Sequence, residues 1–187
     1  MPDCELLVAK ALTSEEGGFD SDIAEGIIWS ADNGAKVINL SFGGPEPARI
    51  LKQAIGYAHR KGAVVVAAAG NAGERDREYP AAYSRTIAVA ATDERDRRAP
   101  FSSSGRYVDV AAPGVDVLST VPGGYASYSG TSMAAPHVAA LAGLLAGEGQ
   151  SKREIRRSIL STAQDLGPRG RDQEFGAGRI DASRAVR

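Results

Sequence analysis

AVVVAAAGN, from Ala63 to Asn71, sets seven apolar residues in a row before a glycine and an asparagine. A strand with one face in water alternates apolar and polar positions. One that is apolar throughout is covered on both faces, as in a parallel sheet held between helices. Upstream, Lys36–Phe42 (KVINLSF) reads as a strand closed by GGP, and a helix between the two is expected from Pro47 to Lys61. Pro47 suits its first turn, and Ile50, Leu51, Ala54, Ile55 and Ala58 form one face. Downstream, Thr86–Ala91 is another apolar strand, with shorter ones at Val108–Ala112 and Val115–Thr120.

Glu5–Leu12 (ELLVAKAL) reads as a buried strand. After the polar loop SEEGGFDSD, Asp20 or Ser21 is expected to cap a helix that turns Ile23, Ile27 and Ala31 inward and stops near Gly34. Near the other end, Ser151 and Glu154 have capping-box spacing before Ile155, Ile159 and Leu160, and Asp181 opens a last short helix. Strands alternating with helices imply right-handed crossovers and a mostly parallel sheet, an α/β fold. The 187 residues suit a single domain, with no internal repeat or linker.

Composition narrows the function classes. A net charge of −1 offers no broad attraction to nucleic acid or an anionic membrane. No run of about 18 apolar residues suggests a membrane span, and MPDCELLVAKAL lacks the features of a signal peptide. One cysteine, Cys4, and two histidines, His59 and His137, exclude a Cys/His metal cluster. No cofactor is indicated. The mixed-sign runs Glu74–Glu78 and Asp93–Arg98 read as solvated loops.

Open parallel sheets place their sites beyond the carboxyl ends of the strands. Ser41–Gly44, Ala67–Asn71 and Gly130–Ser132 converge there. A serine at a helix N-terminus is surrounded by backbone N–H groups that favour negative charge. The Asn71 amide can aim at the same point, making an oxyanion hole for acyl transfer. Each piece alone has a plainer explanation: Gly-Thr-Ser is a good helix start, and Asn suits a turn.

Their combination resembles the subtilisin-like serine proteases. VINLSFGGP, KGAVVVAAAGNAG, YPAAYSRTIAVAATD, APFSSSGRYVDVAAPGVDVLST, YSGTSMAAPHVAALAGLL and GAGRIDASRAV follow the family's order over nearly the whole chain. The resemblance implies a subtilisin-like three-layer architecture and a peptide or protein substrate. Ser132 would be the nucleophile, with its N–H and the Asn71 side chain in the oxyanion hole. Ser41, Phe42 and Gly43 would form one wall of the substrate side-chain pocket, and Ala68, Ala69 and Gly70 the other. It further implies a cis Tyr79–Pro80 bond. If Glu74, Asp76 or Glu78 points into the pocket, a Lys or Arg side chain would be preferred. A family cation site would use the carbonyls of Ala81, Tyr83 and Thr86 with Asp109, though Tyr107 stands where some relatives carry another acid.

The family's triad runs Asp, His, Ser, and its first two members precede the stretch resembling ELLVAKAL. The domain is therefore expected to be incomplete on its N-terminal side, its catalytic Asp and His coming from upstream sequence or another chain. His137, five residues beyond Ser132 and about 140° around the helix, cannot serve as the base, and His59 sits at a helix end where a cation suits the dipole. Losing the serine or histidine costs about 10⁶ in turnover in subtilisin. Three arrangements of the open sheet are left: Glu5–Leu12 pairs with Val37–Ser41, a partner chain or second copy fills the gap, or the N-terminal segment is not ordered. The functional alternatives are a peptide-binding module that does not cut and an inactive remnant.

Overall fold

The computed structural model describes residues 4–13, 17–73 and 77–186. In chain order the elements are α1 (Asp20–Asp32), β1 (Val37–Leu40), α2 (Arg49–Arg60), β2 (Val64–Ala68), β3 (Thr86–Thr92), β4 (Val110–Pro113), β5 (Val117–Val121), β6 (Gly124–Tyr128), α3 (Thr131–Gly147), α4 (Lys152–Thr162) and α5 (Ala182–Ala185). Strands β1-β2-β3-β4 form one parallel sheet in that order, in register from Val37 opposite Val64 to Thr92 opposite Pro113. β5 and β6 form a separate antiparallel hairpin.

β2 shows why its sequence is apolar throughout. Val64, Val66 and Ala68 face a core made with α3 and α4, through Ala134, Ala135, Val138, Leu141, Leu145, Ile155 and Ile159. Val65 and Ala67 face the opposite core, made with α1 and α2 through Ile23, Ile27, Leu51, Ala54 and Ile55. Helices therefore cover both faces, giving three layers. The crossover from β1 to β2 is helical, but those from β2 to β3 and β3 to β4 are irregular chain in the described residues.

Several local expectations need correction. Glu5–Leu12 contains no strand: Leu6 and Val8 are 83% and 82% exposed, and among the described residues β1 pairs only with β2. An apolar run becomes a buried strand only with a ladder partner and covered faces. Here Leu7 is partly buried, and Ala9 and Ala11 lie over Gly26 of α1. The pairing of this stretch with Val37–Ser41 is thus not formed. α1 starts behind Phe19 without a side-chain cap, so neither Asp20 nor Ser21 caps it. Pro47 precedes α2 rather than entering its first turn, and Ile50 is outside the buried face. β6 was not anticipated, because Gly124–Tyr128 carries too little apolar character to stand out from a loop.

The ends of α4 and α5 follow the sequence. Ser151 and Glu154 form the reciprocal capping box, and the Asp181 carboxylate accepts the Arg184 N–H. Gly114 lets β4 run directly under α3. A methyl group there would fall 2.6 Å from Ala91 Cβ and 2.8 Å from the Gly130 carbonyl oxygen. The Gly130 N–H donates to the Gly114 carbonyl at 2.8 Å, so the start of α3 is set by the end of the sheet.

Candidate active site

α3 begins at Thr131 with no cap from its own preceding residue. Asn71, just beyond β2, supplies one: its Oδ1 accepts the Thr131 N–H at 2.9 Å and the Thr131 hydroxyl at 3.0 Å. The Thr131 hydroxyl also accepts the Gly70 N–H at 3.1 Å. With Oδ1 occupied, the amide nitrogen of Asn71 faces the space above Gly130. A methyl built on Gly130 would lie 3.6 Å from Asn71 Nδ2 and 3.7 Å from Ser132 N. Both nitrogens, with Met133 Sδ at 3.4 Å, border one small space at a positive helix end, a place suited to an oxyanion.

Ser132 is the second residue of α3 and is partly exposed. Its hydroxyl donates to the Ser41 carbonyl at 2.9 Å, and the Ser41 hydroxyl donates to the Ser132 carbonyl at 2.9 Å. Pro136 explains the second bond. Proline has no N–H, so the Ser132 carbonyl four residues earlier lacks its helical partner and is left for Ser41. The proline in GTSMAAPHV was a readable signal for this tie.

The expected walls flank this point with different chemistry. Ser41 and Phe42 are partly buried and Gly43 is exposed. Ala68 and Ala69 bury their side chains in the cores, so only their backbone and Gly70 can border a slot. The Ser102–Ser104 run, not anticipated as part of the site, braces this wall. Ser103 N–H donates to the Gly70 carbonyl at 2.9 Å, and its hydroxyl accepts the Ala72 N–H at 3.1 Å. Gly44 and Tyr79 exchange two backbone bonds of 2.9 and 2.8 Å, closing the far end beside the cis Tyr79–Pro80 bond. Of the three acids in that loop, Glu74 and Asp76 lie outside the described residues. Glu78 is described and sits between the walls.

Neither histidine approaches Ser132. His137 is exposed and its Nδ1 donates to the Met133 carbonyl at 2.9 Å. His59 Nδ1 lies 3.3 Å from Lys152 Nζ, which also bonds the His59 carbonyl. An ammonium only donates, so Nδ1 is the acceptor. Burial first, then the charges of Lys152, Arg85 and Arg156, hold the His59 pKa below its usual 6.5. The cation that meets the His59 carbonyl at this end of α2 is therefore Lys152 rather than a protonated His59.

Two of the cation donors that the resemblance implies, Asp109 and the Thr86 carbonyl, are otherwise engaged. Asp109 is buried; its Oδ1 accepts Arg156 Nη2 at 2.8 Å and Arg171 Nη2 at 2.9 Å, and its Oδ2 accepts the Ala88 N–H at 3.1 Å. Arg156 Nη1 also donates to the Thr86 carbonyl at 3.0 Å. A guanidinium thus bridges two of the four donors, the Thr86 carbonyl and the Asp109 carboxylate, and with the only carboxylate already held by two arginines these residues do not fit a metal cation. Among the described residues no cluster of three or more His, Cys, Asp or Glu could hold a metal ion, and no helix is long and apolar enough to cross a membrane.

A parallel sheet between helices, with a serine at a helix mouth beside two N–H donors and a slot, is the layout of an α/β serine-protease fold. The subtilase family model matches residues 1–178, and the chain belongs to that family. Thermitase of Thermoactinomyces vulgaris is 49% identical over 186 residues, covering 99% of this chain and 66% of that protein. The thermophilic serine proteinase of Bacillus sp. (strain AK1) is 50% identical over 186 residues, covering 99% of this chain and 46% of that protein. The chain thus spans just under two thirds of the first relative and less than half of the second. The solved structure of a lanthipeptide protease superposes with a TM-score of 0.88 at 26% identity, covering 95% of this chain and 68% of that one.

Proposed function

We propose that this chain is the nucleophile-bearing segment of a serine endopeptidase. Ser132 attacks the scissile carbonyl, and the Ser132 N–H and Asn71 Nδ2 receive the resulting oxyanion. Ser41–Gly43 and Ala68–Gly70 flank the substrate side chain before the cleaved bond. The observation that carries this reading is the convergence of Asn71 Nδ2 and Ser132 N on the space above Gly130. The serine proton needs a base that neither His59 nor His137 can supply, so the triad's Asp and His come from sequence beyond these residues or from a partner chain. The test is labelling of the natural full-length protein by a fluorophosphonate. A tagged peptide containing Ser132, absent in Ser132→Ala, is expected; no adduct would refute hydrolysis by this serine.

A second reading is peptide binding without cleavage. It is favoured by the Ser132 hydroxyl donating to the Ser41 carbonyl rather than to an imidazole. It predicts that peptide binding survives Ser132→Ala while the fluorophosphonate leaves the protein unmodified.

A further inference from the structure

The slot between the walls contains an acid. Glu78 immediately precedes the Gly44–Tyr79 bridge and is partly exposed. A methyl built on Gly70 would fall 2.4 Å from Glu78 Cγ and 2.9 Å from Cδ, and one built on Gly43 would fall 3.4 Å from Glu78 Oε2. The side chain therefore crosses from one wall to the other, with a carboxylate oxygen beside the first. Gly70 has φ +112, so a side chain there would meet both backbone strain and the Glu78 stem. Both glycines leave room that Glu78 occupies.

We propose that Glu78 makes this slot selective for a lysine or arginine side chain; the inference rests on the slot being the substrate pocket. The apolar stem of a basic side chain can lie along the backbone of Ala68 and Ala69, and its head can donate charge-assisted hydrogen bonds to the Glu78 carboxylate. A leucine or phenylalanine in the same place offers the carboxylate no hydrogen bond. An acidic side chain adds like-charge repulsion.

Fluorescent peptides differing only in one side chain (Lys, Arg, Leu or Glu at the position before the scissile bond) test this by anisotropy. The binding proteins are the natural full-length protein with Ser132→Ala to prevent turnover, the same protein with Glu78→Gln, and the same protein with Gly43→Leu to obstruct the slot. Thermal melts check that each variant is folded. The expected result is that Lys and Arg peptides bind about tenfold more tightly than the Leu peptide. That preference shrinks at high salt and disappears in Glu78→Gln. If Gly43→Leu weakens every peptide but Glu78→Gln leaves the Lys-to-Leu ratio within twofold, the slot is the pocket and the role of Glu78 is overturned. If Gly43→Leu changes nothing, or no peptide binds, the pocket reading itself fails and the inference falls with it.

Discussion

Two side chains at the mouth of α3, Asn71 and Ser41, have roles that substitutions can test. Asn71 accepts from Thr131 through Oδ1 and offers Nδ2 to the space beside Ser132. Asn71→Asp keeps the acceptor and removes the donor. On the proposed reading it leaves the thermal midpoint near the parent's and lowers turnover by about 10²–10³, the effect of one such donor in a subtilisin. Asn71→Ala loses both and also destabilises by about 1–2 kcal/mol in urea unfolding. Ser41 satisfies the carbonyl that Pro136 orphans. Ser41→Ala is expected to cost about 1 kcal/mol. In the Pro136→Ala background that cost shrinks, because the new alanine N–H can take the Ser132 carbonyl. A double-mutant cycle showing additive effects would refute the coupling.

At the scale of elements, Asp109 ties β4 to α4 and to the segment carrying Arg171. Its side chain is 6% exposed, whereas those of Arg156 and Arg171 are 36% and 48% exposed. Removing the acid strands a buried N–H and two cations. Removing one arginine leaves the acid with another partner. Asp109→Ala is therefore expected to destabilise by about 3 kcal/mol, against about 1 kcal/mol for either arginine to methionine, measured by urea unfolding. Added calcium should not rescue the loss, since guanidinium groups rather than a metal ion complete the site. α2 and α4 meet at Lys152. Lys152→Met should raise the His59 pKa only part of the way to 6.5 in an NMR titration, because burial is its largest cause and remains. Much of this level was legible in the sequence. Capping at Ser151 and Asp181 and the buried faces of α1 and α4 follow from spacing, whereas the partners of Asp109 lie 47 and 62 residues away.

Across the whole molecule, the groups shifted on the acid side act in one direction with pH, whereas Lys61 and Tyr83, both raised, act only in the alkaline range. His59, with its pKa lowered, takes up a proton more readily when unfolded, so stability declines as pH falls below 6.5. Asp32, Asp93, Glu154 and Asp181 also have lowered pKa values. For Asp32 the first cause is its hydrogen bond to Lys61, for Asp93 the Arg97 backbone, for Glu154 the Ser151 hydroxyl and for Asp181 the Ser183 hydroxyl. Their contribution is present above the unfolded values of 3.8 and 4.5 and is lost as pH falls through the folded ones. Urea midpoints should therefore fall from pH 7.5 to 5.5 and again below 4.5; a midpoint that is flat or rises on acidification would contradict these environments. The sequence by itself determined the α/β class, the two-sided burial of β2, the family and the residues gathered at the strand ends, because periodicity and motif are local properties of the chain. Only the tertiary structure decided that Glu5–Leu12 lacks a strand partner, that Arg156 takes the cation's oxygens and that Glu78 lies between the two walls. Those outcomes depend on which distant groups meet across the sheet and compete for the same hydrogen bonds, and no spacing along the chain encodes that competition.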